Sequence, residues 1–472
     1  MVSWTQVYLL SEWAIRLVML GYVPQRRSPS AARAWLLLIF IFPWGGLLLY
    51  ATVGRPRFSA KRRELQHRAS EVIRAIAREK PDPNRVAPNA CPEYEEAIKL
   101  AANLGDFALV QGNEVQLLPD YQQSIDRLMS DITTARHHVH LLYYIFGDDA
   151  TGSGVANALL QAVARGVTCR VLVDSLGSRR AMATLAPRLR AGGVDVVELL
   201  PVRWFRRNPT RPDLRNHRKI AVIDGRVGYI GSQNIVDAGF HRGFVNQELV
   251  ARVSGPVVAE LQAVFLTDYS LETGMPSVDA ALFPAADCTG KTIAQVLPSG
   301  PGYPQENTQC MIVSLIHAAK KQVILTTPYF VPDESLLQAL RTAVVRGVEV
   351  HLVVSRKADH LIVGLAQRSY YEELLAMGIV IHRYTPGLLH AKHVSIDDTL
   401  AMIGSSNLDI RSFALNAEVS MIVYDPSVVA ALRVVQQRNM AMADRLTAEE
   451  WAQRPRWSGI LQNTARLVDS VL

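Results

Sequence analysis

The sequence predicts an α/β protein with two tandem α/β/α repeats about a pseudo-twofold axis, preceded by an N-terminal transmembrane helical hairpin. Three observations predict this class. A six-residue motif occurs twice with identical spacing, a strand–helix–strand pattern accompanies each copy, and two apolar stretches begin the chain. With 472 residues, 49% of them hydrophobic, the chain is long enough for two domains with substantial cores.

The apolar stretches come first. Residues 35–53 carry no charge over nineteen positions, close to the roughly twenty that a helix needs to cross a bilayer. Residues 4–22 are also largely apolar but include Glu12 and Arg16, which lie four apart and can pair on one helix face. This first segment either spans in a hairpin or lies in the interface. A secretory signal peptide fits less well, because a basic n-region and a small-x-small cleavage site are lacking.

Basic residues flank the second apolar stretch on both sides. Three precede it: Arg26, Arg27 and Arg33. Six follow it: Arg55, Arg57, Lys61, Arg62, Arg63 and Arg68. Positive-inside counting therefore places the large C-terminal part in the cytoplasm. The formal charge of +7 favours an anionic partner such as lipid headgroups, nucleic acid or a phosphorylated substrate, unless the surplus is only a solvated surface.

The rest of the chain divides into a connector and two halves. A charged helical connector is expected at 61–83, ending before Pro81 and Pro83. The predicted segments are the membrane hairpin at 1–55, the connector at 56–110, the first repeat at 111–285 and the second repeat at 286–472. The four cysteines lie far apart, which indicates neither a disulfide framework nor a zinc site.

Each half shows the same run of elements. A β-type run at 137–149 is followed at 156–174 by a helix, a glycine and a strand. The counterparts are a β-type run at 321–334 and a helix–glycine–strand pattern at 336–354. Gly166 and Gly347 are the expected helix stop signals.

A motif of His, Lys, Asp and Gly-Ser-x-Asn follows in each half. The first copy contains His217, Lys219, Asp224, Ser232 and Asn234. The second contains His390, Lys392, Asp397, Ser405 and Asn407, each 173 positions from its counterpart. At about 7% per residue type, six matches in register arise by chance roughly once in ten million tries. An internal duplication is the better explanation.

The motif predicts a strand, a tight turn at the aspartate and a return strand. His and Lys at positions i and i+2 of a strand share one face, and Ser and Asn end near them. Two halves packed about a pseudo-twofold axis would bring both imidazoles together. Asp224 and Asp397 either brace the backbone or pair with a basic side chain.

Two imidazoles at one phosphodiester suit a displacement reaction. One, neutral, attacks phosphorus, and the other, protonated, gives a proton to the leaving alkoxide. The two lysines and two asparagines gather charge on the phosphate oxygens. Glu248 and Glu418, each in an Asn-x-Glu sequence, can hold the far nitrogen of an imidazole. No residue cluster has metal-ligand spacing, so neither a metal nor a cofactor is expected.

The two copies resemble the HKD motifs of the phospholipase D superfamily. With TPYFVPDE at 327–334, the segment at 369–393 and SSNLDIRSFALNAE at 405–418, the chain is similar to membrane-anchored bacterial cardiolipin synthases. The resemblance implies transfer of a phosphatidyl group from one phosphatidylglycerol to another, with an active site between the repeats. It implies His217 as nucleophile and His390 as acid, with Lys219, Asp224, Lys392 and Asp397 completing the catalytic set.

The resemblance also implies partners and a location. Phosphatidylglycerol and other anionic phospholipids are the expected partners, without nucleic acid, and the bacterial inner membrane is the expected site as a multi-pass protein. Two alternatives remain at this stage. One is another phospholipase D or phosphatidyltransferase, hydrolytic or with a different acceptor. The other is a non-catalytic tether for anionic membranes.

Overall fold

The computed structural model describes residues 3–27, 29–54, 58–79, 83–202, 211–240, 243–274, 279–288 and 290–467. Its helices are α1 Trp4–Tyr22, α2 Pro29–Ile41, α3 Pro43–Val53, α4 Ala60–Glu79, α5 Glu95–Gly105, α6 Tyr121–Thr134, α7 Ala150–Ala164, α8 Arg179–Ala191, α9 Val257–Thr273, α10 Asn307–Ala318, α11 Glu334–Val345, α12 Leu361–Ser369, α13 Tyr371–Met377, α14 Ile410–Ala414, α15 Pro426–Ala441, α16 Ala448–Ala452 and α17 Arg456–Arg466. Short 3-10 helices lie at Pro88–Ala90, Pro92–Tyr94 and Ala280–Leu282.

The strands are mostly short and concentrated after residue 109. They are β1 Val110–Leu118, β2 His138–Tyr143, β3 Thr168–Asp174, β4 Asp195–Leu199, β5 Arg215–Asn216, β6 Ile220–Ile223, β7 Val227–Gly231, β8 Asn246–Gln247, β9 Val250–Ser254, β10 Thr292–Ser299, β11 Gln322–Thr326, β12 Phe330–Val331, β13 Glu349–Ser355, β14 Val380–Tyr384, β15 Leu388–Leu389, β16 His393–Ile396, β17 Leu400–Gly404, β18 Leu408–Asp409, β19 Asn416–Tyr424 and β20 Ala443–Leu446.

The strand–helix–strand patterns of both halves are confirmed. In the first half β2, α7 and β3 follow one another, and in the second half β11, α11 and β13 do. Gly166 and Gly347 take left-handed φ values of 90° and 87° just beyond the two helices. Glycine adopts that conformation without the steric cost a Cβ would bring, so each helix ends there.

In the long sheet, equivalent strands of the two halves follow in the same order on either side of the centre. Its order is β20-β14-β13-β11-β16-β17-β19-β10-β1-β9-β7-β6-β2-β3-β4. The antiparallel pair β1–β10 joins the two halves. Outward from that pair, the first half places β9, β7, β6, β2 and β3, and the second places β19, β17, β16, β11 and β13. This correspondence is what a pseudo-twofold relation between repeats requires.

Helices cover both faces of the sheet and bury its apolar side chains. Helices α6, α7 and α8 pack on the first half through residues such as Leu128, Val155 and Leu189. Helices α10, α11 and α12 pack on the second half. Helices α9 and α15 contribute to a cluster that draws side chains from both halves, including Phe265 and Leu432. Because this cluster joins the halves, it stabilises their relative placement.

The N-terminal apolar stretches form three helices rather than two. The helix expected over 35–53 is interrupted at Phe42, because Pro43 supplies no backbone N–H and begins a new helix. Glu12 and Arg16 pair at 3.5 Å, as their spacing predicts. Across the described residues, no helix combines the length and the apolar character that a bilayer crossing requires. The transmembrane hairpin stays a prediction from the sequence.

These three helices nonetheless expose much apolar surface. Trp35 and Ile39 are buried inside the cluster they form, whereas Trp4, Trp13 and Leu48 are exposed. Arg55 and Arg57, counted in the orientation argument, lie outside the described residues.

The predicted connector is partly a helix that packs against both repeats. Arg62 on α4 pairs with Glu272 at the end of α9 at 2.5 Å. Further on, Ile98 of α5 is buried among side chains of the second repeat. Phe58 forms a small cluster with Leu200 and Leu214. Leu214 lies just before the first motif in the chain.

Candidate active site

Each motif forms the predicted β-hairpin. In the first, β6 and β7 pair antiparallel around Asp224, and in the second, β16 and β17 pair around Asp397. Both aspartates take left-handed φ values, 53° and 49°, a conformation that Asp tolerates in turns. The hairpins are therefore equivalent in the two repeats.

The two aspartates accept hydrogen bonds from backbone amides and lie away from the histidines. The Asp224 carboxylate accepts hydrogen bonds from the amides of Arg136, His137 and His138 at 2.7–2.9 Å. Asp397 does the same for Lys320, Lys321 and Gln322 at 2.7–3.0 Å. These contacts lie at the turn end of each hairpin, whereas the histidines precede its open end. The bracing alternative is therefore the one that this geometry favours, and a catalytic role for both aspartates stays a prediction.

His217 and His390 each follow a short strand that lies outside the hairpins. The hairpin strands begin only at Ile220 and His393, so the expected i, i+2 placement on a regular strand is wrong. Each histidine instead follows a two-residue strand that pairs in parallel with the other repeat: β5 with β19, and β15 with β8. The His217 amide donates to the carbonyl of Ala417 and the His390 amide to that of Gln247, both at 2.8 Å.

This crossing sets each imidazole beside a glutamate of the opposite repeat. Glu248 Oε1 lies 2.7 Å from His390 Nδ1. Glu418 Oε1 lies 3.5 Å from His217 Nδ1, and the side-chain amide of Asn416 lies 3.3 Å from the same nitrogen. The sequence predicted a carboxylate on the far imidazole nitrogen without deciding which repeat supplies it. Neither Nε2 has a hydrogen-bond partner among the described residues, so both are left for a substrate.

The motif serines hold the glutamates. Ser405 Oγ donates to Glu418 Oε2 at 2.5 Å and accepts from the amide of Val419 at 3.0 Å. Ser232 Oγ likewise accepts from the amide of Leu249 at 3.0 Å and donates to the carbonyl of Leu249 at 3.2 Å, and it helps to lower the pKa of Glu248. The sequence predicted the serines near the motif histidines as residues that bind or support the phosphate, and this role stays a prediction.

The glycine before each serine permits this approach. A Cβ on Gly231 would come within 2.3 Å of the Leu249 carbonyl oxygen, and one on Gly404 within 2.3 Å of that of Val419. Both distances are far inside van der Waals contact. Only glycine lets the return strand lie this close to the segment that carries the glutamate.

The lysines and asparagines are buried around the same point. Lys219 Nζ donates to the carbonyl of His217, and Lys392 Nζ to that of His390, each at 2.6 Å. Asn234 Oδ1 accepts from the amide of Ile145 at 3.1 Å, which leaves its amide hydrogens for another acceptor. The Asn407 side chain hydrogen bonds to Asp409.

Electrostatics distinguishes the two imidazoles. Burial lowers the pKa of His217 well below its usual value, and the charges of Lys219 and Arg411 lower it further. Burial also lowers the pKa of His390, but the Glu248 carboxylate opposes that effect. The surroundings therefore favour a neutral His217 more strongly than a neutral His390.

The two glutamates that face these histidines also differ in pKa. Burial alone would raise the pKa of Glu248, yet His390 and Lys392 hold it at about 2. Burial raises the pKa of Glu418 to about 7 against the opposing charge of Lys219. Burial likewise lowers the pKa of Lys392 to about 7. One histidine is thus paired with a firmly ionised carboxylate and the other with a carboxylate that is readily protonated.

Several site residues were not predicted from the sequence. The ring of Tyr144 lies 4.0 Å from that of His217, between centroids. Asn416 reaches the same imidazole, and Arg411 adds positive charge. Tyr144 directly follows β2, and in α/β folds the carboxyl ends of strands commonly carry site residues, which is the one signal that pointed to it. Asn416 is the first residue of the second Asn-x-Glu sequence, in which only the glutamate was given a role.

Comparison with known proteins accords with this geometry. A family profile described as cardiolipin synthase, PLD-like domain, matches residues 128–269 and 312–439, and the phospholipase D-nuclease N-terminal profile matches residues 9–55. Cardiolipin synthase A of Pectobacterium carotovorum is 37% identical over 478 residues, covering 98% of this chain and 96% of that protein. The chain belongs to the cardiolipin synthase family. The resemblance noted from the motifs is thereby confirmed, and with it the assignment to the phosphatidyltransferases of the phospholipase D superfamily.

Other relatives of the cardiolipin synthase family show the same extent of similarity. Cardiolipin synthase A of Yersinia pseudotuberculosis is 36% identical, again over 98% of this chain and 96% of that protein. Among solved structures, phosphatidylserine synthase of Haemophilus influenzae matches with a TM-score of 0.60 and 14% identity. The match covers 80% of this chain and 100% of that one, and it shows a shared fold. Across the described residues, no group of three or more His, Cys, Asp or Glu side chains is arranged to hold a metal ion.

Proposed function

We propose that this protein makes cardiolipin from two molecules of phosphatidylglycerol through a covalent phosphatidyl-histidine. The observation that carries the proposal is the crosswise pairing of His217 with Glu418 and of His390 with Glu248. It orients two imidazoles through their Nδ1 atoms and leaves both Nε2 atoms for chemistry at one phosphodiester.

In the first half-reaction His217 is the nucleophile. Its Nε2 lone pair attacks phosphorus of the first phosphatidylglycerol, forming an N–P bond while the bond from phosphorus to the glycerol oxygen breaks. His390 donates a proton to that oxygen, and glycerol leaves. The strong suppression of the His217 pKa supports this division of roles, as does the ionised Glu248 beside His390.

In the second half-reaction the roles reverse around the same phosphorus. The terminal hydroxyl of a second phosphatidylglycerol gives its proton to His390, now neutral, and its oxygen attacks phosphorus. The N–P bond breaks and its electrons return to His217. Both imidazoles regain their starting protonation, so the cycle balances without a further reactant.

The two lysines and two asparagines bind the non-bridging phosphate oxygens in this proposal. Each Lys Nζ uses one hydrogen on the main chain of its own histidine, which leaves two for the phosphate. An arriving phosphate favours the charged form of Lys392, whose pKa of about 7 otherwise leaves it partly neutral. Preorganised donors in a buried site stabilise charge that develops on those oxygens.

We further propose that helices α1–α3 hold the protein to the bacterial inner membrane, with the catalytic part facing the cytoplasm. Exposed side chains such as Trp4, Trp13 and Leu48 support this attachment, because interfacial apolar faces bury such residues among lipid headgroups and acyl chains. The Glu12–Arg16 pair within α1 supports the interfacial alternative for the first segment, because charged side chains cost less at the interface than in the bilayer core. Phosphatidylglycerol and other anionic lipids are then available at the surface where the site works.

The test is product analysis by lipid mass spectrometry after expression in a bacterium that lacks cardiolipin, together with purified protein in phosphatidylglycerol vesicles. Cardiolipin and glycerol in equal amounts support the proposal. Phosphatidic acid as the sole lipid product would identify a hydrolytic phospholipase D instead. Binding to vesicles without turnover would identify a non-catalytic tether.

A further inference from the structure

The two repeats differ in the residues on either side of the motif histidine. In the first repeat His217 stands between Asn216 and Arg218, both buried. The corresponding residues of the second repeat, 173 positions later, are Leu389 and Ala391, also buried. A polar pair in one half thus replaces an apolar pair in the other, at a place where the backbone geometry is otherwise equivalent.

Arg218 joins three separate parts of the structure. Its Nη1 donates to Asp268 on α9 at 2.6 Å, and its Nε donates to the main-chain oxygen of Glu418 at 3.0 Å. Its Nη2 donates to the main-chain oxygen of Ser299 at 3.3 Å. Ser299 on β10 is the direct partner of Glu418 on β19 in the antiparallel ladder. One guanidinium therefore ties the strand that carries Glu418 to helix α9.

Asn216 completes the connection on the other side of His217. Its Nδ2 donates to Asp268 Oδ2 at 2.8 Å, and its Oδ1 accepts from the amide of Arg218 at 3.1 Å. Asp268 thus uses one oxygen for each neighbour of His217. The segment 216–218 is clamped at both ends, and the same guanidinium holds the backbone of the glutamate that faces His217.

We propose that Arg218, Asp268 and Asn216 of the first half form a positioning cluster that sets His217 against Glu418 for attack on phosphorus. The proposal rests on the assignment of His217 as nucleophile. These residues act through His217 and Glu418 and do not touch the substrate. In a site built from two equivalent halves, a fixed first histidine and a separately held second one provide a physical basis for unequal roles.

Arginine suits this cluster for a geometric reason. Its planar fork presents Nε and both Nη groups to three acceptors at once, which a single ammonium on a flexible stem cannot do. Arg218→Lys keeps the charge beside Asp268 but loses the contact with Glu418. The double variant Arg218→Gln with Asp268→Asn removes both charges and leaves no unpaired buried charge that would unfold the chain.

The experiment separates the two half-reactions in the full-length protein with phosphatidylglycerol vesicles. The first-turnover release of glycerol reports attack by His217, and the formation of cardiolipin reports the second transfer. We expect glycerol release to slow about tenfold or more in R218K and in R218Q/D268N, comparable to losing one charge-assisted hydrogen bond. Breakdown of the preformed covalent intermediate by added phosphatidylglycerol should slow less.

A matched control is Arg252→Gln. Arg252 on β9 also forms a partly buried pair with an aspartate, at 2.7 Å, but this aspartate, Asp131, lies on α6 rather than beside a motif histidine. This variant should lower thermal stability without altering the ratio of the two half-reaction rates. The proposal is overturned if R218K has the wild-type ratio, or if R218Q/D268N slows both steps equally, as a loss of folded protein would.

Failure of the proposed function is distinguishable from failure of this inference. Wild-type protein that releases no glycerol and forms no cardiolipin would refute the function before any variant is compared. Wild-type turnover with an unchanged rate ratio in the Arg218 variants would refute the positioning cluster alone.

Discussion

Glu248 and His390 lie 2.7 Å apart across the boundary between the repeats, although 142 positions separate them in the chain. Their mirror pair, Glu418 and His217, is looser at 3.5 Å. Neither repeat therefore contains a complete site, because the carboxylate that orients each imidazole belongs to the other repeat. The difference in length and in ionisation between the two pairs is the most direct sign that the histidines have different tasks.

Replacing the glutamates separates these tasks. We expect Glu248→Gln to reduce kcat more than Glu418→Gln, because Glu248 is the ionised partner that stabilises protonated His390, whereas Glu418 carries a pKa of about 7 and is readily neutral. The loss for Glu248→Gln should be about a hundredfold, in the range of removing a general acid. Steady-state formation of cardiolipin measures it. Equal losses for the two variants would contradict the asymmetry.

Alanine at either histidine should remove nearly all activity. We expect His217→Ala and His390→Ala each to lose about 10⁴-fold or more, and the double variant to be little worse, because the two residues act as a unit. A phosphatidyl ester with a nitrophenyl leaving group needs little proton donation. With that substrate His390→Ala should regain release of the leaving group and His217→Ala should not, which spectrophotometry measures directly. Rescue of His217→Ala would reverse the assigned roles.

The motif aspartates should affect stability rather than chemistry. Each accepts from three backbone amides. We expect Asp224→Ala and Asp397→Ala to lower the free energy of unfolding by about 3 kcal/mol, since three hydrogen bonds to a charged acceptor are lost at each turn. Urea unfolding measures the loss. Activity per folded molecule should remain within a few-fold of wild type, and a thousandfold loss in fully folded protein would restore a catalytic role.

The glycines before the motif serines should tolerate no side chain. Gly404→Ala would place a Cβ within 2.3 Å of the Val419 carbonyl oxygen and push the Glu418 strand away from His217. We expect at least a hundredfold loss of activity with retained secondary structure by circular dichroism. Gly239→Ala is the control, because a Cβ there meets nothing within 4 Å. Wild-type activity in Gly404→Ala would show that this close approach is dispensable.

Stability should fall as the pH drops below neutrality. Burial lowers the pKa of His393 to about 3 and that of His138 to about 4, from 6.5 in an unfolded chain. Between those values and 6.5 the unfolded chain binds protons that the folded protein does not, so acid favours unfolding. Each histidine contributes up to about 1.4 kcal/mol per pH unit in this window. The free energy of unfolding, measured with urea at several pH values between 6.5 and 4, should depend less steeply on pH in His393→Gln than in the wild type. An unchanged dependence on pH would contradict the prediction.

Residue types and their spacing were enough to predict the repeat and the chemistry. Identical spacing of His217 and His390 with their lysines, serines and asparagines indicated a duplicated site for phosphoryl transfer. Hydrophobic runs and terminal glycines predicted the strand–helix–strand units around β2 and β11. These features are local: they depend on residue types at fixed short separations, which strand and turn geometry turns directly into structure.

Which side chains of the two repeats meet follows from the folded chain and not from local patterns. Pairing of β5 with β19 and of β15 with β8 joins residues about 140 to 200 positions apart, and no local pattern records such a choice. It assigned each glutamate to the opposite histidine and brought Asn416 to His217. It also placed both aspartates on backbone amides and divided the apolar stretch at Pro43. Burial, which only the folded chain creates, then gave two equivalent histidines different electrostatic surroundings, because neighbouring charges act strongly where water is excluded.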